Sequence, residues 1–202
     1  MYCSSVPRRF YASESHAYCY VYPPQKLQSM LLRYVRVCDA VYASSVSAGV
    51  SRDCVLRAHS GGVVSPKCVI LVDHEHQDLV LAQRLYWTFA RISCLNNEPF
   101  LDGQGHRGMV HATAWLVHHL RDDLRKLSGQ YPDYRFVATG HSLGGAIAEL
   151  STMQLRNEFP TMQCYAFGTQ ACVTQKLATD SYDIVTTIVN GYDSCQVFTS
   201  TR

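Results

Sequence analysis

The sequence predicts an α/β fold, a three-layer sandwich on a mostly parallel sheet with an antiparallel start. Three observations carry this. From residue 107 to 189, helix-like and strand-like runs alternate, which implies parallel strands with helices on both faces. Before them, the β-branched runs Lys67 to Asp73 and Asp78 to Gln83 flank the polar break His74-Glu75-His76-Gln77, the pattern of an antiparallel hairpin. Near the end, Asp183 to Val189 (DIVTTIV) is close to continuously apolar, as a strand buried on both faces should be.

Taken in order, residues 1–24 are polar and aromatic and end in Pro23-Pro24, which predicts a poorly ordered lead-in. Residues 25–202 then form one domain. From Gln25 to about Ser47, Leu27, Leu31, Tyr34, Cys38 and Val41 recur at helical spacing. Asp53 to His59 predicts a short strand, followed by a break at Gly61-Gly62 and then the hairpin. The stretch after Gln83 predicts a loop and an irregular helix. Pro99 and the glycines at 103, 105 and 108 close that stretch off; no strand precedes those glycines and no Lys-Ser/Thr pair follows them as a phosphate loop would need, so they read as loop. Arg107 to Ser128 predicts the longest helix, on a stripe of Met109, Ala112, Leu116, Leu120, Leu124 and Leu127, with Gly129 and Pro132 as stop signals. A strand over 134–139, a helix over about 143–158, a strand over 162–167 and a short helix over about 174–180 complete the pattern.

Composition narrows the function classes. The chain has 202 residues, 47% hydrophobic and 17% charged, long enough to bury one sizeable core. A net charge of +2, evenly spread, gives no electrostatic footprint for nucleic acid. The nine cysteines form no C-x-x-C pair and are scattered through apolar runs. They fit neither a zinc site nor a small disulfide scaffold, and they suggest a reducing compartment. No signal-peptide-like run or membrane-span-length apolar run is present, so the expectation is an intracellular chain, cytoplasmic or peripheral to a membrane. Contact with a bilayer surface stays open. His74 and His76, two residues apart, would offer a metal only two ligands, so no metal or cofactor is expected.

The chemistry concentrates in Gly140-His141-Ser142-Leu143-Gly144-Gly145. This is Gly-x-Ser-x-Gly between a strand-like and a helix-like run, the context in which a serine is held on a sharp turn at a helix N-terminus. There the free backbone N–H groups and the helix dipole favour developing negative charge. Ser142 is therefore the candidate nucleophile, and the Leu143 N–H a candidate oxyanion donor. His141 adjoins Ser142 and lies on the wrong side of the turn to serve as its base.

With these residues placed, the chain resembles the class 3, fungal-type lipases of the α/β-hydrolase fold. The resemblance spans about 25–198. It is carried by HRGM at His106 to Met109, by VATGHSLGGAIAEL at Val137 to Leu150, and by IVNGYDSCQVF at Ile188 to Phe198. FGTQACVTQKLA at Phe167 to Ala178 looks nearest to diacylglycerol-lipase-like proteins. The resemblance implies a lipid ester hydrolase acting on acylglycerol or phospholipid esters through an acyl-enzyme. It also implies that Asp193 is the acid that orients the base, with Asp180 and Asp183 as alternatives. The family's Arg-Gly-Thr/Ser oxyanion segment falls on Arg84-Leu85-Tyr86, which makes Tyr86 the second oxyanion candidate. Two departures stand out. The glycine and small hydroxyl of that segment are replaced, and no histidine follows His141 where the family order places one after the acid. The expectation is a domain truncated at its C-terminus, lacking the last strands and the histidine loop. The alternative is a catalytically inactive lipase fold that binds lipid or a protein partner; hydrolysis of non-lipid esters is a third reading.

Overall fold

A computed structural model of the chain describes residues 2–3, 25–42, 51–61, 65–85 and 96–189. Its elements are β1 (Tyr2–Cys3), α1 (Gln25–Tyr42), β2 (Val55–His59), β3 (Lys67–Asp73), β4 (Asp78–Arg84), β5 (Asn97–Phe100), β6 (Gly103–His106), α2 (Arg107–Gln130), β7 (Arg135–His141), α3 (Leu143–Leu155), β8 (Gln163–Phe167), α4 (Gln175–Asp180) and β9 (Val185–Val189). Among the described residues the main sheet has the order β1-β9-β8-β7-β4-β3-β2. Strands β4, β7, β8 and β9 run parallel, while β2, β3 and β1 are antiparallel to their neighbours. The mostly parallel sheet with an antiparallel start is present as expected.

Alternation along the strands shows why the sheet is covered on both faces. In β4, Leu79 and Leu81 belong to one core and Val80 and Ala82 to the other. The same split separates Phe136 and Ala138 from Val137 in β7, and Cys164 and Ala166 from Tyr165 and Phe167 in β8. Residues two apart share a face, so a strand apolar at every position must be buried twice. On one face α1 inserts Leu31, Tyr34, Val37, Cys38 and Val41. On the other lie α2 and α3, with Met109, Leu116, Leu124, Ile147 and Leu150. The result is three layers.

An ionic cluster fastens α1 to the amino edge of the sheet. Asp78, the first residue of β4, has a fully buried side chain that accepts from Arg33 Nη2 (2.8 Å), Arg135 Nε (2.6 Å) and the Tyr34 hydroxyl (2.6 Å). Burial pushes its carboxyl up, but these three bonds and the charges of the two arginines hold it below the usual carboxylate range. Tyr34 stacks on Tyr165 with ring centroids 4.9 Å apart, closing the layer above.

Several boundaries differ from expectation. Residues 97–106, read from sequence as loop, form the β5–β6 hairpin, with Asn97 opposite His106 and a bridge from Gly105 to Val173. The hairpin carries no β-branched residue; its pairing comes from tertiary contact, with Gly103 packed so closely on Thr174 and Leu177 that no side chain fits there. Helix α2 runs through Gly129 and stops at Tyr131, the residue before Pro132, where helical backbone is disfavoured. Helix α3 ends at Leu155 instead of continuing to 158. Tyr2–Cys3 pair with β9, whereas the rest of the lead-in, 4–24, and the expected last turns of α1 lie outside the described residues. Among the described residues, no helix is long and apolar enough to cross a membrane.

Candidate active site

Of the candidate residues, Ser142 and Leu143 lie within the described residues, at the carboxyl edge of the parallel strands. Strand β7 ends at His141, and Ser142 is the N-cap of α3. The Ser142 N–H donates to the Phe167 carbonyl at the end of β8 (2.9 Å), which pins the turn to the neighbouring strand. Its backbone lies at φ 56°, ψ −122°, a region that side chains rarely adopt. Such a residue stores of the order of 1–3 kcal/mol of strain. A serine at an N-cap ordinarily turns its hydroxyl back onto the helix, but this one makes no capping bond. Its hydroxyl is left for other chemistry.

The glycines around it permit close backbone approach. A Cβ on Gly140 would lie 2.3 Å from the Gly144 carbonyl, and one on Gly144 would lie 2.2 Å from the Gln83 carbonyl of β4. The first turn of α3 is therefore wedged directly between β7 and the end of β4. Within that turn, the first bond of the helix ladder runs from the Ala146 N–H to the Ser142 carbonyl. The N–H groups of Leu143, Gly144 and Gly145 come before it and point out of the helix end, where the dipole is positive. Leu143 itself is buried.

The strained backbone makes a test independent of activity. Ser142→Gly removes the misplaced Cβ and should raise stability by about 1 kcal/mol, the relief of strain less the entropy glycine adds to the unfolded chain. Urea unfolding measures it, and a lowered midpoint would count against a strained turn.

Other predicted residues fall as follows. Tyr86 and Asp193 both lie outside the described residues. Strand β9, which leads towards Asp193, ends at the same edge as Ser142: Ile188 pairs with Phe167, and Phe167 with His141. His141 is exposed. His106 caps α2 at this edge, its N–H donating to the Cys172 carbonyl (2.8 Å); burial holds its imidazole below the usual range. His111 pairs with Glu98 (2.9 Å), and His118 and His119 are exposed further along α2. His74 shares a hydrogen bond with the Tyr134 hydroxyl (2.8 Å), and His76 pairs with Asp73 (3.3 Å). Among the described residues no group of three or more His, Cys, Asp or Glu is arranged to hold a metal.

Sequence reasoning missed two buried polar residues beside the turn. Gln83 donates to the Ser151 hydroxyl (3.1 Å) from the last full row of β4. Glu149, on α3, accepts from Thr187 of β9 and from Cys172. A signal was present for the second: LGGAIAELSTMQL holds one charged residue in an otherwise apolar or small-polar helix. A lone carboxylate there needs partners.

Comparison with known proteins agrees with this geometry. The chain superposes on a fungal lipase from a lipase–inhibitor complex with a TM-score of 0.73 and 19% identity, covering 85% of this chain and 74% of that one. That likeness is one of fold. Mouse diacylglycerol lipase-beta is 27% identical over 137 residues, 62% of this chain and 20% of that protein. The secreted mono- and diacylglycerol lipase A of Penicillium cyclopium is 31% identical over 108 residues, 49% of this chain and 35% of that protein. The chain thus spans about a fifth and about a third of the lengths of these relatives. Residues 75–196, well over half of the chain and including the hairpin tip, the strained serine turn and β9, match the family model for class 3 lipases, and the chain belongs to that family.

Proposed function

We propose that this chain hydrolyses lipid esters, of acylglycerols or phospholipids, with Ser142 as nucleophile. One observation supports this most: Ser142 sits in strained backbone at a helix N-terminus with its hydroxyl not used for capping. Ser142 Oγ attacks the ester carbonyl carbon and gives up its proton to a general base. The oxyanion that forms is held by the Leu143 N–H and by a donor from the 84–86 segment, Tyr86 in this proposal. The alkoxide leaves as an alcohol with that proton, giving the acyl-enzyme; water then attacks it, releasing the fatty acid and restoring the serine. Asp193, following β9, orients the base. No histidine follows His141 in the sequence, so the base is assigned to no residue of this chain. Diacyl- and monoacylglycerols are the first substrates to test, given the names of the relatives.

The expected result is turnover of a soluble short-chain ester and of a dispersed diacylglycerol by the full chain. Ser142→Ala should abolish that turnover, since no acyl-enzyme forms without the hydroxyl. Equal turnover by the variant would overturn the assignment. A folded chain without turnover would favour the second reading, a lipase fold that binds lipid or a protein partner without hydrolysing it. The Arg84-Leu85-Tyr86 replacement in the oxyanion segment favours that reading.

A further inference from the structure

Glu149 is 6% exposed and lies two turns along α3 from Ser142, roughly 10 Å at 1.5 Å per residue. Its two oxygens serve two different segments. The Thr187 hydroxyl of β9 donates to Oε1 (3.0 Å), and the Cys172 thiol donates to Oε2 (3.3 Å). Cys172 belongs to the loop after β8, and that loop in turn supports the rest of the edge. Its Thr169 packs on the first turn of α3, where a Cβ on Gly145 would stand 3.1 Å away. The Cys172 carbonyl accepts the His106 N–H, and Val173 bridges to Gly105 of the hairpin. Strand β9 is the other arm. In sequence, β9 ends four residues before Asp193.

We propose that Glu149 is a positioning residue for Ser142 chemistry: one carboxyl group that locks the serine helix in register with β9 and with the loop carrying Cys172. This rests on the assignment of Ser142 as nucleophile. A carboxyl group suits the task because it offers acceptor positions on two separate oxygens, whereas a hydroxyl has one oxygen and an amide accepts only on its carbonyl side. A purely apolar residue of similar size would fill the space equally well and would leave both donors without it. The glutamate therefore adds orientation more than volume. Small displacements of the helix against β9 matter here, since about 1 Å of misplacement at a reacting centre can cost on the order of a hundredfold in rate.

The test compares wild type, Glu149→Gln, Glu149→Leu and Thr187→Val in the full chain, reading fluorophosphonate labelling rate at Ser142, kcat and KM on a soluble short-chain ester, and urea midpoints. Glutamine keeps an acceptor for Thr187 and meets the Cys172 sulfur with an N–H, so it should label within about threefold of wild type. Leucine should lower the labelling rate and kcat at least tenfold, with KM within about twofold. Thr187→Val, a change of one atom type at nearly constant volume, keeps the test valid if the leucine variant does not fold. It should lie between the other two. Variants that fold and label at the wild-type rate would overturn the inference while leaving Ser142 in place. So would losses that merely track the unfolded fraction. A folded wild-type chain that never labels would remove the Ser142 assignment and this inference together.

Discussion

Gly144→Ala should cost about 3 kcal/mol or more of stability, and a chain that retains any fold should show no serine reactivity. The new Cβ would sit 2.2 Å from the Gln83 carbonyl oxygen and 3.0 Å from the Arg84 Cα, both backbone atoms of β4. No rotamer change relieves a clash between two backbones. Either α3 moves off the sheet by roughly an ångström, separating a close-packed interior, or β4 bends away from β7. Both displacements open the space between the Leu143 N–H and the end of β4, where an oxyanion would be held. Gly145→Ala is the internal control. Its Cβ would meet the Thr169 side chain at 3.1 Å and the Gly140 carbonyl at 3.2 Å, contacts that a few tenths of an ångström relieve. Urea midpoints should therefore rank wild type, Gly145→Ala, Gly144→Ala in falling order. An unchanged midpoint for Gly144→Ala would contradict the packing described here.

The second large effect belongs to Asp78→Ala, expected to destabilise by about 2–3 kcal/mol, because solvent screens the two partly exposed arginines it leaves. Asp78 is 0% exposed and joins Arg33, Arg135 and Tyr34. Its removal leaves the Arg33 and Arg135 guanidinium groups, 21% and 40% exposed, and the buried Tyr34 hydroxyl around the space it vacates. Arg33 keeps Asp73 at 2.5 Å, but Arg135 has no other ion pair among the described residues. Apolar replacement of the whole cluster would be far milder, because the cost lies in stranding charges and not in losing attraction. The pH dependence has a definite sign. The native carboxyl is held below its unfolded value, so its contribution is complete above about pH 4 and is lost as pH falls through the lower native pKa. Wild type should thus lose stability on acidification below pH 4 more steeply than Asp78→Asn. Parallel acid curves for the two would contradict the role assigned to the cluster.

These two residues mark what was legible before the structure and what was not. The need for small residues around Ser142 was readable, because strand, glycine turn and helix are local in sequence. The β3–β4 hairpin, α2 and the parallel strands were readable for the same reason: their apolar periods are local and strong. Asp78 carried no such signal. Its partners lie 45 and 57 positions away, and an aspartate opening a strand after a polar turn looks like part of the turn. The β5–β6 hairpin carries no strand signal in sequence, because Pro99 and three nearby glycines outweigh any strand propensity, and its pairing depends on Val173 and α4. Glu149 belongs with these. Its isolation as the one charge in an apolar helix was readable, but its partners Thr187 and Cys172, 38 and 23 residues downstream, were not. Local patterns single out the proposed nucleophile; long-range contacts supply its supports.

The central claim is that the strained turn at 140–145 presents Ser142 as a working nucleophile. It is tested most directly by treating the folded full chain with a fluorophosphonate and locating the adduct by peptide mass spectrometry. One covalent adduct is expected, on Ser142, absent from Ser142→Ala. A folded chain that forms no adduct, or one that is labelled elsewhere and equally in the variant, would contradict it.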